Sequence, residues 1–270
     1  MSIHKSWVSR TTIVRAYQAE RPVPPDLVSI CLTNFNYARF LVNCLDSLAA
    51  QTHPNLDLVI IDDCSTQDDS VAVADRWLAE NEGRFYRVTL LVQQRNQGPS
   101  GARNTAFRHA LGTSVFVIDA DNDVYPHAIA RLHAALSDGK FDAVYSQLEI
   151  FGDRKGIGRA DIWDPIELAR ENYVDVMALI RHDAWTRVDG YTHIEEGWED
   201  YDFWLKFADE KLEVGYLPEI LCRYRVHGKS RTAIEAHAAH EQLKLIMAFR
   251  HPLLQRDLET AGSSSPRSHR

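Results

Sequence analysis

The stretch Val115-Phe-Val-Ile-Asp119-Ala-Asp121-Asn-Asp123 decides the fold class. Its apolar residues are typical of a strand buried on both faces, as in a parallel sheet, and acidic residues follow where the strand ends. Two earlier runs have the same form: residues 27–32 lead into Thr33-Asn-Phe-Asn36, and residues 56–61 lead into Asp62-Asp63-Cys-Ser65. A helical pattern follows each of these two runs, which predicts a βαβ arrangement.

A further strand is predicted over residues 88–92, and the loop Asn96–Asn104 after it opens a helix. Backbone N–H groups at such a helix start favour phosphate, although Arg103 could equally face solvent. In an open parallel sheet the carboxyl ends of the strands lie at one edge, where ligands of these folds bind. We therefore predict an α/β fold with a Rossmann-like, mostly parallel central sheet flanked by helices.

The pattern changes after Pro126, where a helix is followed by predicted strands over 143–151, 174–180, 212–217 and 220–225, with a further helix over 200–209. This mixture predicts a smaller α+β half that rests on the first sheet. Residues 232–250 have a helical pattern, and Gly262-Ser-Ser-Ser-Pro266 indicates a disordered tail.

Composition and charge restrict the function classes. The chain has 270 residues, of which 45% are hydrophobic and 25% charged, as in an ordinary globular protein. A net charge of −8 argues against a nucleic-acid partner. Because no apolar run approaches the ~20 residues that span a bilayer and no secretory signal is evident, we expect a cytoplasmic protein. The basic ends, 1–25 and 250–270, leave open a peripheral contact with anionic lipid at the inner face of the membrane.

The strand-end acids suit a metal and a nucleotide. Asp119 and Asp121 offer two hard oxygen ligands with other positions open, which fits Mn²⁺ or Mg²⁺ shared with a diphosphate. The alternative is that they cap the following turn. Asp62, Asp63 and Ser65 can accept hydrogen bonds from a nucleobase and a ribose, or Asp63 or Ser65 caps the next helix.

The second half carries an acid pair and a histidine. Glu199-Asp200 lies beside aromatic residues, a setting that raises the basicity of a carboxylate and suits proton removal from a hydroxyl. Alternatively, the pair only favours the dipole of the helix that it begins. His227 is a candidate metal ligand through a neutral imidazole. Trp198, Tyr201 and Trp204 are at the spacing of a sugar platform, but such a stripe is more often core.

These motifs, in this order, closely resemble the family 2 glycosyltransferases of GT-A fold over about residues 27–230. The motifs that carry the resemblance are Thr33-Asn-Phe-Asn36, Asp62-Asp63-Cys-Ser65, Asn96-Gln-Gly98-Pro-Ser-Gly-Ala-Arg103-Asn104, Asp119-Ala-Asp121-Asn, Gly197-Trp-Glu199-Asp200-Tyr-Asp202 and Tyr224-Arg-Val-His227. The resemblance implies metal-dependent, inverting transfer of a sugar from a nucleoside-diphosphate donor, with UDP as the expected nucleotide. The expected acceptor is a hydroxyl of a glycan or a lipid-linked molecule.

The resemblance also assigns roles to residues. It implies that Thr33, Asp62 and Arg103 hold the nucleotide, that Asp121 binds the metal and that Asp200 is the catalytic base. Asp119 is expected near the ribose or the metal and His227 at the metal, and Glu199 is expected to be catalytic together with Asp200. The nucleotide set is completed by Asn34, Asp63, Ser65 and Gly98. We expect the chain to divide into a basic arm with a Pro-rich hinge (1–25), a nucleotide-sugar half (26–125), an acceptor and base half (126–230), and a C-terminal helix with its tail (231–270), although the resemblance does not explain the first and last of these segments.

Other functions remain open at this point. Val115-Phe-Val-Ile-Asp119-Ala-Asp121 also resembles the opening of haloacid-dehalogenase-type phosphatases, in which Asp119 would be a nucleophile. A nucleotidyltransferase is disfavoured, because Thr33-Asn-Phe-Asn36 is not a Gly-rich phosphate loop. A catalytically silent module that binds a nucleotide or a glycan is the non-enzymatic alternative.

Overall fold

The computed structural model describes residues 10–195, 197–228, 240–252 and 254. Its elements follow one another along the chain as β1 (Thr11–Gln18), β2 (Val28–Asn34), α1 (Ala38–Ala49), β3 (Leu56–Asp62), α2 (Ser70–Asn81), β4 (Arg87–Gln93), α3 (Gly98–His109), β5 (Ser114–Asp119), β6 (Asp123–Val124), α4 (Ala128–Asp138), β7 (Ala143–Gly152), β8 (Gly156–Ile157), α5 (Pro165–Arg170), β9 (Ala178–Arg181), α6 (His182–Arg187), α7 (Glu199–Asp209), β10 (Val214–Val226) and α8 (His240–Arg250). A short 3-10 turn, Glu82–Arg84, separates α2 from β4.

One mixed sheet contains all of these strands, in the order β1-β4-β3-β2-β5-β9-β7-β10-β6, with β8 paired to β7. The predicted parallel centre is confirmed, because β4, β3, β2 and β5 pair in parallel. We predicted that the second half rests on the first sheet, and this is wrong. Its strands instead extend that sheet. Strand β9 pairs antiparallel with β5 and with β7, and β7 pairs in parallel with β10.

The core lies on both faces of the central strands. Strands β2 and β3 are buried at every position, which explains their unbroken apolar runs. Helix α1 covers the sheet with the periodic stripe Leu41, Cys44, Leu45 and Leu48. This burial holds the strands in register and so determines which side chains meet at their carboxyl ends.

Three elements differ from the prediction. Strand β1 lies within the expected arm and pairs antiparallel with β4 at the sheet edge. Strand β9 begins at Ala178, four residues later than predicted. The two strands expected over 212–217 and 220–225 are one strand, β10, in which the register to β7 shifts between Leu217 and Ile220. Pro218 lies at this shift, where its missing N–H explains the interruption.

Some predictions concern residues outside the described ranges. These are the first nine residues of the basic arm, the start of the predicted helix over 232–239, and the predicted tail and basic end from residue 255 onward. Helix α8 covers the rest of the predicted C-terminal helix. Among the described helices, none has the length and apolar character that crossing a bilayer requires.

Candidate active site

The carboxyl ends of β2, β3 and β5 bring four predicted site residues side by side. Thr33 lies opposite Asp119 in the register of β2 and β5, and Asn34 lies opposite Asp62 in that of β2 and β3. Thr33 Oγ1 donates a hydrogen bond to Asp119 Oδ1 at 2.5 Å, and Asn34 Nδ2 donates to Asp62 Oδ2 at 2.7 Å. The parallel centre of the sheet therefore assembles one polar edge from separate motifs.

Asp62 organises the turn that follows β3. Its Oδ1 accepts a hydrogen bond from the backbone N–H of Ser65 at 2.8 Å, and its Oδ2 accepts one from the Ser65 hydroxyl at 2.7 Å. Ser65 Oγ also accepts a hydrogen bond from the backbone N–H of Asn36 at 2.8 Å. Asp62 is 1% exposed, and both of its oxygens are bound within the turn. Asp62 therefore fixes the conformation of this turn at the polar edge.

Asp63 faces the loop that precedes α3. Its Oδ1 accepts a hydrogen bond from the backbone N–H of Gln97 at 2.9 Å. Burial raises the pKa of Asp63 to about 7, against the lowering effect of the N–H groups of Gln97 and Gly98. Gly98 has a φ of 71°, a conformation that glycine adopts without a Cβ clash. Asp63 and Gly98 therefore lie together beside the polar edge.

Arg103 joins the two halves of the protein. Its side chain is 4% exposed; Nη2 donates to Asp119 Oδ2 at 2.9 Å, and Nη1 donates to Glu199 Oε1 at 3.2 Å. The guanidinium also lies 5.5 Å from the ring centre of Tyr191. Burial alone would lower the pKa of Arg103, but the carboxylates of Asp119 and Glu199 outweigh it and raise the pKa. Both terminal nitrogens bind carboxylates, so the predicted contact of Arg103 with a nucleotide stays a prediction.

Asp121 and His227 form a buried pair at the same edge. His227 Nε2 lies 3.0 Å from Asp121 Oδ2, and the imidazole packs edge-on against Tyr37 with ring centres 5.4 Å apart. Burial raises the pKa of Asp121, as does the charge of Asp119, whereas His227 lowers it.

The donor set fits a divalent cation that takes most of its ligands from elsewhere. Nowhere in the described ranges do three or more His, Cys, Asp or Glu side chains form a group that could hold a metal. One carboxylate and one imidazole leave most positions open for water and phosphate oxygens, which suits a cation shared with a substrate. His227 Nδ1 is buried and has no hydrogen-bond partner among the residues that the structure describes.

Glu199 and Asp200 begin α7 directly after a left-handed turn. Gly197 has a φ of 115° and Trp198 a φ of 62°, and such a conformation at a bulky residue is typical of functional sites. Asp200 Oδ1 accepts a hydrogen bond from the backbone N–H of Tyr201 at 2.8 Å. Burial, followed by the charge of Glu199, raises the pKa of Asp200 to about 6, while Arg103 lowers it. Asp200 can therefore lose and accept a proton near neutral pH.

The helix that carries this acid pair is anchored by the end of α8. Asp202, one residue after Tyr201, is fully buried and binds Arg250 Nε at 2.6 Å, His251 Nε2 at 3.1 Å and Lys206 Nζ at 3.4 Å. Burial would raise the pKa of Asp202, but the His251 hydrogen bond and the two cations hold it well below its usual range. The first turn of α7 is thereby tied to the core.

Comparison with known proteins decides the family. The sequence profile described as Glycosyl transferase family 2 matches residues 29–192. The chain is also 30% identical over 231 residues to an uncharacterised glycosyltransferase of Nostoc sp., covering 80% of this chain and 69% of the relative. The chain belongs to glycosyl transferase family 2. This glycosyltransferase is 31% identical over 215 residues to a chondroitin synthase of Escherichia coli, which covers 76% of the chain but 29% of the synthase.

Solved structures share its GT-A fold. A fragment of TarS from S. aureus in complex with UDP-GlcNAc has a TM-score of 0.71 and 16% identity, covering 88% of this chain and 73% of that one. The mannosyltransferase PcManGT from Pyrobaculum calidifontis in complex with GDP-Man and Mn²⁺ has a TM-score of 0.61 and 20% identity, covering 91% and 80%. At these identities the likeness concerns the fold alone.

The phosphatase, nucleotidyltransferase and silent-module interpretations are therefore replaced by a glycosyltransferase enzyme.

Two polar residues of the site were missed from the sequence. Asn172 and Asp175 lie between α5 and β9; Asn172 Nδ2 donates to Asp200 Oδ2 at 3.1 Å, and Asp175 Oδ1 accepts from the backbone N–H of Met177 at 2.9 Å. Burial, with smaller contributions from the charges of Asp200 and Asp119, raises the pKa of Asp175 to about 7, against the lowering effect of the Met177 N–H. A carboxylate inside a predicted strand, at the start of an apolar run, was the signal that could have found Asp175.

The aromatic stripe of α7 is mostly core, as the spacing favoured. Trp204 is fully buried and Tyr201 is buried with its hydroxyl bound to the carbonyl of Leu168 at 2.8 Å. Only Trp198 is half-buried. Tyr201 and Trp204 are therefore unavailable as sugar platforms.

Proposed function

We propose that this glycosyltransferase moves a sugar from a UDP-linked donor, with inversion, to a hydroxyl of a glycan or of a lipid-linked acceptor. The observation that carries the proposal is the setting of Asp200. Its neighbour Glu199 is bound through the buried Arg103 to Asp119 at the polar edge. A proton acceptor with a pKa near neutrality is thus held in a fixed relation to the candidate donor site.

The donor would lie along the carboxyl ends of β2, β3 and β5. Asp63 would accept hydrogen bonds from the N–H groups of the nucleobase, because the backbone N–H of Gln97 holds its Oδ1 in place. Thr33 and Asn34, with Asp62 and Ser65 beneath them, would line the floor under the nucleoside. TarS is described with UDP-GlcNAc and PcManGT with GDP-Man, which supports a nucleotide sugar as donor. The choice of uridine rests on the family resemblance.

Asp121 and His227 would hold a Mn²⁺ or Mg²⁺ ion, with Asp119 near it. When bound, such a cation supplies positive charge that offsets the negative charge of the leaving diphosphate. The complex of PcManGT with GDP-Man and Mn²⁺ supports a metal beside a nucleotide sugar. Asp121 is buried and lies 3.0 Å from His227 Nε2, so the position of its carboxylate is fixed.

Asp200 would act as general base. It removes the proton of the acceptor hydroxyl while the hydroxyl oxygen attacks the anomeric carbon from the face opposite the leaving diphosphate. A single displacement of this kind inverts the configuration and needs no covalent intermediate. The raised pKa of Asp200 suits this task, because a base titrating near the working pH is both ionised and able to accept the proton.

The test is the release of UDP from UDP-sugars in the presence of Mn²⁺, first without an acceptor and then with oligosaccharide acceptors. A thermal-shift panel of nucleotide sugars selects the donor, since binding stabilises the folded protein. Asp200→Asn is expected to keep UDP binding and to lower turnover ~10²–10⁴-fold, the usual contribution of a general base. Asp183→Asn, an exposed acid in the first turn of α6, is the matched control and should retain full turnover. Unchanged turnover in Asp200→Asn would refute the role of Asp200.

A further inference from the structure

The carboxylate of Asp200 is held at both oxygens. The backbone N–H of Tyr201 donates to Oδ1 at 2.8 Å, and the side-chain amide of Asn172 donates to Oδ2 at 3.1 Å. The first contact belongs to the helix itself. The second comes from a different part of the chain, the segment between α5 and β9.

Asn172 is itself oriented by a second hydrogen bond. Its Oδ1 accepts from the backbone N–H of Val174 at 3.1 Å, an Asx turn that leaves only the NH₂ group for Asp200. Because a backbone N–H can only donate, this contact assigns the oxygen and the nitrogen of the amide without ambiguity. Asn172 is therefore built to present a donor, not an acceptor, to the carboxylate.

We propose that Asn172 is a positioning residue for Asp200: its amide directs the carboxylate toward the acceptor and favours the ionised form that removes the proton. The proposal rests on the proposed function, in which Asp200 is the base. A donor bound to a carboxylate stabilises the charged state, whereas burial opposes it. Asn172 thus counteracts part of the burial that makes Asp200 a better base.

The charged groups around Asp200 do not position its carboxylate, and a neutral hydrogen-bond donor does so instead. Glu199 on the same helix opposes ionisation of Asp200, and Arg103 from α3 favours it. Asp175 and Asp119, from the segment before β9 and from β5, face the same region and are in electrostatic contact with one another. The two terminal nitrogens of Arg103 bind Glu199 and Asp119. The direct side-chain hydrogen bond to Asp200 therefore comes from Asn172.

The experiment measures kcat against pH for the full chain, its Asn172→Ser variant and its Asn172→Asp variant, using the UDP-sugar selected by the thermal-shift panel and Mn²⁺. Serine keeps an acceptor for the N–H of Val174 but loses the donor. One hydrogen bond to a charged group corresponds to a shift of about one pH unit. The acid limb should therefore move from about pH 6 to about pH 7, so that the ratio of parent to variant kcat falls about five-fold between pH 6 and pH 8.

Asn172→Asp retains the shape and the acceptor for Val174 but places a like charge against Asp200, so its acid limb should move further than that of Asn172→Ser. It serves as the second variant if Asn172→Ser fails to fold, as judged by UDP binding. The matched control is Asn55→Ser, because Asn55 Nδ2 donates to the carboxylate of Asp26 at 2.7 Å, far along the chain from the site. Its profile should match that of the parent.

An unchanged acid limb in both Asn172 variants would overturn the inference, and so would a loss of kcat that is equal at every pH, since that is the mark of a merely structural role. Both results leave the proposed function intact provided that the parent transfers sugar and Asp200→Asn does not. Absence of sugar transfer by the parent with every donor of the panel would instead overturn the proposed function, and this inference with it.

Discussion

Removal of the guanidinium of Arg103 tests how much its ion pairs contribute to the stability of the fold. Arg103→Met keeps most of the apolar stem but leaves Glu199, 11% exposed, and Asp119, 29% exposed, without their shared cation. Breaking a buried ion pair costs about 3–5 kcal/mol, chiefly because the remaining charge is uncompensated. Asp119 reaches solvent and keeps its bond from Thr33, so the lower end of that range applies. We expect the free energy of unfolding to fall by about 3 kcal/mol.

Urea unfolding of the parent and the variant at pH 7 measures this loss. Arg108→Met is the matched control, since Arg108 lies on the same helix, is exposed, and donates to the backbone carbonyl of Asn104 at 3.2 Å. Adding Glu199→Gln to Arg103→Met should recover part of the stability, because the more buried of the two carboxylates that have lost Arg103 no longer carries a charge. The reasoning is refuted if Arg103→Met and Arg108→Met lose the same amount, or if the double variant is less stable than Arg103→Met.

Two further predictions concern the metal and the anchor of α7. Asp121→Ala should bind UDP with the same affinity in Mn²⁺ and in EDTA, whereas the parent should bind more tightly in Mn²⁺; calorimetry that finds equal Mn²⁺-dependent affinity in both proteins contradicts this. Asp202→Asn should lower the melting temperature through the loss of a buried ion network. The depressed pKa of Asp202 makes its stabilisation complete above about pH 4 and progressively lost at lower pH, while His251, whose pKa is raised, stabilises below about pH 6.5 and loses this as the pH rises. The gap between parent and variant should therefore be widest between those two pH values, and thermal melts showing a constant gap from pH 3 to pH 9 would contradict it.

The central sheet could be predicted because its strands are buried on both faces. Such strands are unbroken apolar runs, as in β2 and β3, and the polar residues at their ends are conspicuous. Strand β1 could not be found in this way, since all of its residues are exposed or half-exposed and no apolar run marks it. The unity of β10 was hidden by Pro218, because proline normally ends a strand and here sits at a register shift.

The residues of the candidate site also differ in whether a local sequence pattern marks them. Residues at strand ends and helix starts, such as Asp119 and Asp200, have local signals that a sequence displays. The partnership of Arg103 with Glu199 has no local signal, since the two residues lie 96 positions apart and meet only in the folded chain. Asn172 was missed for the same reason, since only its hydrogen bond to Asp200 gives it a place in the site, whereas Asp175 had a local signal, a carboxylate inside a predicted strand.

The bridge through Arg103 bears on how enzymes of this architecture can be recombined. The guanidinium of Arg103 binds both Asp119 at the end of β5 and Glu199 at the start of α7. Neither of these two parts of the chain can therefore be exchanged independently of the other. A chimera that grafts the region around Glu199 onto a relative with an apolar residue at the position of Arg103 would remove the ion pair between these two side chains. Exchange of the region around Glu199 between relatives therefore has to transplant α3 together with α7.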